Sequence, residues 1–274
     1  DWDASSDGDG QYDPGEDGPN NHLAIATDKT PLLPGDVASF ANYTSYSHGI
    51  NGLMIDIANL PAGVTPVASD FRFHTGNDST PGDWPVAPAP SSVTIAAGVG
   101  TGGSDRVTII WPDGAIRNEW LEVTVEPTPH FPLPTADVFY FGNAVAEAGN
   151  IASDARVTTA ELLLARNNPR GFLNSVPIDF PYDYNRDRHV NSTDVLLARN
   201  NQTNFLNDLE LIDLSGNEAA EQGSTSRQTL AGEFAWLYDQ QFSPATASTQ
   251  PRDKKDLDPE VIDQLLAEYW PRTS

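Results

Sequence analysis

The chain of 274 residues carries 39 acidic against 15 basic side chains, a formal net charge of −24, and no cysteine. Such an acid excess repels phosphate backbones and anionic membrane faces, which excludes nucleic acid as a partner and favours cations; without thiols, any stapling must come from oxygen-ligated metal. No run of about 18 apolar residues occurs, so no membrane-inserted helix is expected.

Residues 1–20, DWDASSDGDGQYDPGEDGPN, are acidic, Gly-rich and nearly free of aliphatic side chains, so they build no core of their own. Within them Ser5, Asp7, Asp9, Gln11, Asp13 and Glu16 occupy positions 1, 3, 5, 7, 9 and 12 of a calcium loop, with Gly10 at the sharp turn and Gln11 contributing its carbonyl. A solvated acidic tail is the alternative reading. The chain starts at Asp1 with neither Met nor a signal-like segment, which suggests a processed product or a piece of a longer protein.

Residues 21–127 change pattern to short alternating runs: HLAIATD, DVASFANYTSY, GLMIDIANL, DFRFHT, SSVTIAA, RVTIIW and EWLEVTVEP, separated by Pro, Gly, Asn and Asp. The period of two predicts an antiparallel β-sandwich. Trp111 and Trp120 stand among aliphatics and read as core, whereas Trp84, on a Pro-rich loop, is the candidate for stacking on a sugar ring; polysaccharide is the alternative ligand. The histidines show no metal spacing and no nucleophile or phosphate-loop motif occurs, so the expectation is a protein that is not an enzyme. The run PTPHFPLP opens a semi-rigid linker over 128–137.

Residues 138–213 contain an internal repeat at an offset of 33 residues. Laying DARVTTAELLLARNNPRGFLN (154–174) over DRHVNSTDVLLARNNQTNFLN (187–207) gives 11 identities in 21 positions, including LARNN and FLN. The second copy spaces Asp183, Asn185, Asp187, His189, Asn191 and Asp194 at loop positions 1, 3, 5, 7, 9 and 12, His189 supplying its carbonyl. Alternating side chains then aim at one centre while Val190 anchors the loop and a helix follows. In the first copy Asn150, Asp154, Arg156 (through its carbonyl) and Glu161 fall at positions 1, 5, 7 and 12, but Ala152 offers no ligand at position 3. The preceding FGNAVAEAGN suggests a longer loop in which Asn143, Glu147 or backbone carbonyls complete the shell.

A loop of the form D-x-N-x-D-x-x-V-N-x-x-D running into a helix, in paired copies and with Asp at position 12, resembles the type I dockerin repeat of bacterial secreted and surface proteins. Arg188 stands where that pattern usually has Gly. The resemblance implies an all-α module of paired loop–helix units and a cohesin-like or other surface protein as partner, or docking within the same chain. It also implies partner choice by residues at the helix starts, Thr158, Thr159, Asn191 and Ser192, and an extracellular or cell-surface location. With the N-terminal loop counted, two to three Ca2+ ions are expected. The repeated Arg-Asn-Asn at 166–168 and 199–201 reads as helix C-capping.

The extension 214–274 holds two helix candidates, 229–241 with Leu230, Phe234, Leu237 and Tyr238 in phase, and the segment after Asp258-Pro259, where Val261, Ile262, Leu265, Leu266 and Tyr269 share a face. The expected fold is therefore mainly β plus α: an antiparallel β-sandwich followed by an all-α dockerin-like module and C-terminal helices.

Overall fold

In the computed structural model, residue 26 and residues 28–216 are described. The N-terminal loop candidates Ser5, Asp7, Asp9, Gln11, Asp13 and Glu16, and both C-terminal helix candidates, lie outside the described residues.

Seven strands form two sheets: β1 (Tyr43–Thr44), β2 (Gly52–Ile57), β3 (Phe71–Gly76), β4 (Ser92–Ala96), β5 (Asp105–Ile110), β6 (Trp120–Val125) and β7 (Asp137–Asn143). One sheet has the order β1-β7-β6-β3 and the other β2-β5-β4. All pairings are antiparallel except β1 with β7. The runs GLMIDIANL, DFRFHT, SSVTIAA, RVTIIW and EWLEVTVEP supply β2 to β6. DVASFANYTSY yields only the short β1, because the Asn42 side-chain oxygen accepts the Ser39 N–H at 2.9 Å and folds the chain into a single 3-10 turn instead.

Side chains alternating along each strand face a common core, where Phe71, Phe73, Leu121, Val123, Val125 and Phe139 of one sheet meet Leu53, Val107 and Ile109 of the other. Phe131, from the Pro-rich stretch, is fully buried among them. The four-stranded sheet is covered on its outer face as well: Trp120 and Tyr140 pack with Tyr43, Leu32, Trp84, Leu209, Ile212 and Leu214. Bridges between Leu32 and Tyr140 and between Val37 and Asp213 hold these covering segments in place.

The expectation of an all-α dockerin-like module is corrected here. Among the described residues the regular structure is mostly β-strand in two sheets, and α-helix is limited to α1 (Thr159–Asn167) and α2 (Ser192–Asn200), of nine residues each. The physical reason is how little each helix buries: Glu161 and Ala165 in α1, Asp194 and Ala198 in α2. With so narrow an apolar stripe, the two short helices close a small core only together with loop residues such as Val145, Val157, Tyr184 and Val190. Phe141, Gly142 and Asn143 belong to the last strand of the sheet, and Leu209, Ile212 and Leu214 return to its outer face. The helix pair is thereby a small annex of a β protein. No helix among the described residues is long and apolar enough to cross a membrane.

Candidate metal sites

The two repeats meet through an exchange of partners. Val190 of the second loop and Arg170, just after α1, bond N–H to O in both directions at 2.9 Å. Val157 of the first loop accepts from the Thr203 N–H at 2.9 Å and donates to the Thr203 hydroxyl at 2.9 Å. At the repeat offset of 33 residues these are the same pairing with the copies interchanged, so the halves are related by a local two-fold. Val157, Ala165, Tyr184, Val190 and Ala198 form the small core between them.

Both helices start on their own polar side chains. Thr158 accepts from the Ala160 N–H while Glu161 accepts from the Thr158 N–H, and Asn191 accepts from the Thr193 N–H at 2.7 Å while Asp194 accepts from the Asn191 N–H at 2.9 Å. Thr158 and Asn191, expected to meet a partner, are therefore N-caps, and Thr159 and Ser192 beside them are solvent-exposed. At the other ends the second Asn of each Arg-Asn-Asn reaches back: Asn168 donates to the Leu164 carbonyl and Asn201 to the Leu197 carbonyl, both at 2.8 Å.

In the second loop Asp183 and Asp194, the first and last ligand positions, are both fully buried. Asp194 accepts from the Tyr184 and Asn191 N–H groups at 2.8 and 2.9 Å. Asp183 accepts from the Arg188 N–H at 2.8 Å with Oδ2, but its Oδ1 is buried and has no partner among the described residues. Burial pushes the Asp183 carboxyl up to about 7, with the nearby Asp194 and Asp187 adding to it and Arg186 opposing. Burial raises Asp194 as well. Asn185 donates to Asp187 at 2.8 Å, and Asp187 accepts from the His189 N–H at 2.8 Å. Arg188 adopts φ +67°, the left-handed conformation that Gly usually supplies there, so the turn forms in spite of its Cβ.

The first loop differs from the spacing-based expectation. Asn150 and Arg156 are exposed, and Arg156 pairs with Asp154 at 2.5 Å. Asn143 is buried but fully used, accepting from the Asn118 N–H and donating to the Thr44 and Tyr46 carbonyls. Glu147, ahead of the loop, is fully buried, as is Glu161. Glu147 accepts the Tyr43 hydroxyl at 2.6 Å and the Gly149 N–H at 2.9 Å. Burial pushes it up to about 7, with Glu161 contributing by like-charge repulsion. Glu161 Oε1 is buried with no partner among the described residues. Glu147 precedes Asp154 by seven residues, where Asp183 precedes Asp187 by four; aligning the repeats without a gap therefore points to Asn150, and only the longer-loop reading includes Glu147.

Each loop thus encloses a carboxylate oxygen that no donor among the described residues reaches, a state that costs several kcal/mol unless a cation or a proton neutralises it. Among the described residues no three His, Asp or Glu side chains converge as a ready-made metal cluster. To reach the roughly six to eight oxygens calcium takes, each loop must add amide oxygens and carbonyls to its buried carboxylates. The donor types present, all oxygen, fit that ion.

Trp84 requires a second correction. It is 6% exposed, donates to Asp78 at 3.1 Å and meets Tyr140 edge-on, so its ring is not displayed for a sugar. No family model, curated protein or solved structure matches the chain.

Proposed function

We propose that the chain is a calcium-binding structural and interaction module of an extracellular or cell-surface protein, whose dockerin-like loop–helix pair docks on a cohesin-like or other surface protein once calcium has ordered it. The observation that carries the reading is the buried pair Asp183 and Asp194, with no partner for Asp183 Oδ1 among the described residues. Asp183, Asn185, Asp187, Asn191, Asp194 and the His189 carbonyl are the residues that would hold the ion; when bound, it supplies charge neutralisation and folding energy.

Docking is supported by what the two copies keep in common on the outside. Phe172 and Leu173 are 88% and 97% exposed, and their repeat counterparts Phe205 and Leu206 are 78% and 80% exposed. Each pair sits on a turn closed by an Asn side chain, Asn174 accepting from the Gly171 N–H and Asn207 from the Asn204 N–H, both at 2.7 Å. Identity at buried repeat positions follows from packing; identity at exposed apolar ones points to a surface in use.

The test is thermal unfolding of the full chain in calcium and in EDTA, beside the Asp183→Asn variant. At calcium a hundred times Kd, one site stabilises the fold by about 2.7 kcal/mol. Equal melting temperatures in calcium and EDTA would sink the metal reading. A partner held equally well after metal removal would sink calcium-dependent docking.

A further inference from the structure

We propose that copies of this chain associate head to tail, the turn carrying Phe172 and Leu173 of one copy seating on the turn carrying Phe205 and Leu206 of the next. The inference rests on the reading of these turns as a docking surface, and names a second copy as what docks there. All four side chains are at least 78% exposed, so the described residues cover neither turn. The turns share the sequence FLN, but their flanks differ in charge. Arg170 precedes the first turn, where the second has Thr203; Asp208 and Glu210 follow the second, where the first has Ser175 and Pro177. Arg188 adds to the basic side: its carbonyl accepts from the Val176 N–H at 2.9 Å, while its repeat counterpart is the buried Ala155. Asp154 adds to the acidic side, where it lines a cleft of about 390 Å3 together with Asn77, Phe205, Leu206, Asp208 and Glu210.

Two like turns that each met the same foreign surface would keep their flanks alike; flanks of unlike sign suit one turn to the other. With a net charge of −24, two copies repel in most orientations. From residue 158 to 207, however, the only exposed charged side chains are Arg166, Arg188 and Arg199, so this stretch is where an acidic cleft finds cations. Arg170 is steadied by the Phe180 ring, 5.6 Å from its centroid. In the cleft, Arg156 pairs with Asp154 at 2.5 Å and stands 3.9 Å from Asp208, which leaves Glu210 to receive the incoming arginine. The two turns of one copy differ, so the contact is heterologous and each copy keeps a turn for the next, giving open chains unless the rotation closes a ring. Four apolar side chains with their flanking charges fall short of the roughly 1,200 Å2 of a stable interface, so association is weak and depends on concentration.

Sedimentation velocity of the full chain in calcium, from about 10 μM to about 1 mM, tests the contact. Wild type is expected to sediment faster as its concentration rises. Arg170→Glu sets acid against acid and Glu210→Arg sets base against base, so each variant alone should associate at least tenfold more weakly. In an equimolar mixture unlike charges face each other again at both kinds of contact, and association should return to the wild-type level, an outcome that misfolding of either variant does not produce. Because the chain has no cysteine, Leu173→Cys mixed with Leu206→Cys supplies a second measurement. Under mild oxidation the mixture is expected to cross-link at least tenfold more than either variant alone. A wild type that stays monomeric throughout overturns the proposal, as do charge variants that associate like wild type or a mixture that shows no recovery. If calcium still raises the melting temperature of such a monomer, self-association fails while the calcium-ordered module stands; equal melting temperatures in calcium and EDTA sink that module instead.

Discussion

Arg186 donates through Nη2 to the Ser45 hydroxyl at 2.9 Å and through Nη1 to the carbonyls of Phe180 and Asp183 at 2.7 Å each. Ser45 follows β1 directly, so one buried guanidinium fastens the second loop to the sheet. Its planar fork serves three acceptors at once, which an ammonium does not reproduce.

Replacing Arg186 with Met leaves those acceptors unsatisfied and Asp183 without its cation. The expected loss is about 3–5 kcal/mol by urea unfolding, and Arg186→Lys should recover only part of it. A change under about 1 kcal/mol would show that the loop is held by other means.

Arg188, with φ +67° and an exposed side chain, carries backbone strain in the metal loop. Arg188→Gly removes it while keeping the N–H that reaches Asp183. The gain should be up to about 1 kcal/mol, because Gly also loses more chain entropy on folding. Differential scanning calorimetry of both proteins in calcium measures it.

Asp70 is buried and accepts from the Val67 N–H at 2.8 Å and the Thr128 hydroxyl at 2.9 Å, with His130 Nδ1 at 2.8 Å. Burial by itself would raise its carboxyl, but these donors hold it below the usual range. A depressed carboxylate stabilises the fold above its unfolded value, about 3.9, and loses that contribution as pH falls through the folded value. Asp70→Asn should cost about 2 kcal/mol at neutral pH. The gap to wild type should persist down to roughly pH 4 and close below it. A gap independent of pH down to about 2 would mean that the charge contributes nothing.

At Gly76 a Cβ would meet the Trp84 ring at 2.3–2.4 Å. Gly76→Ala must displace a buried indole packed against Tyr140, so a loss of about 1–3 kcal/mol is expected. A neutral outcome in chemical denaturation would show that the ring moves freely.

The Phe-Leu turns make the reverse prediction. Phe172→Ser with Leu173→Ser, and the same pair at Phe205 and Leu206, should leave stability within about 0.5 kcal/mol per change. Once a purified partner is in hand, binding measured by interferometry should fall at least tenfold. Undiminished binding would place the docking face elsewhere.

The strands β2 to β6, the duplicated loop–helix units and the positions of Asp183 and Asp194 were legible from the chain, because each rests on local regularity: a period of two, an offset of 33 or a ligand spacing within one loop. What lay beyond reach depends on residues meeting through space. Glu147, one of the candidates the longer first loop offered, is held by Tyr43, 104 residues away. The helical segments fail to become a module of their own because the sheet's outer face takes Leu209, Ile212 and Leu214. Trp84 turns inward because Gly76 leaves room for its ring. Spacing along the chain determines which side chains alternate or repeat; only the packed fold decides which charges are buried together and must be neutralised.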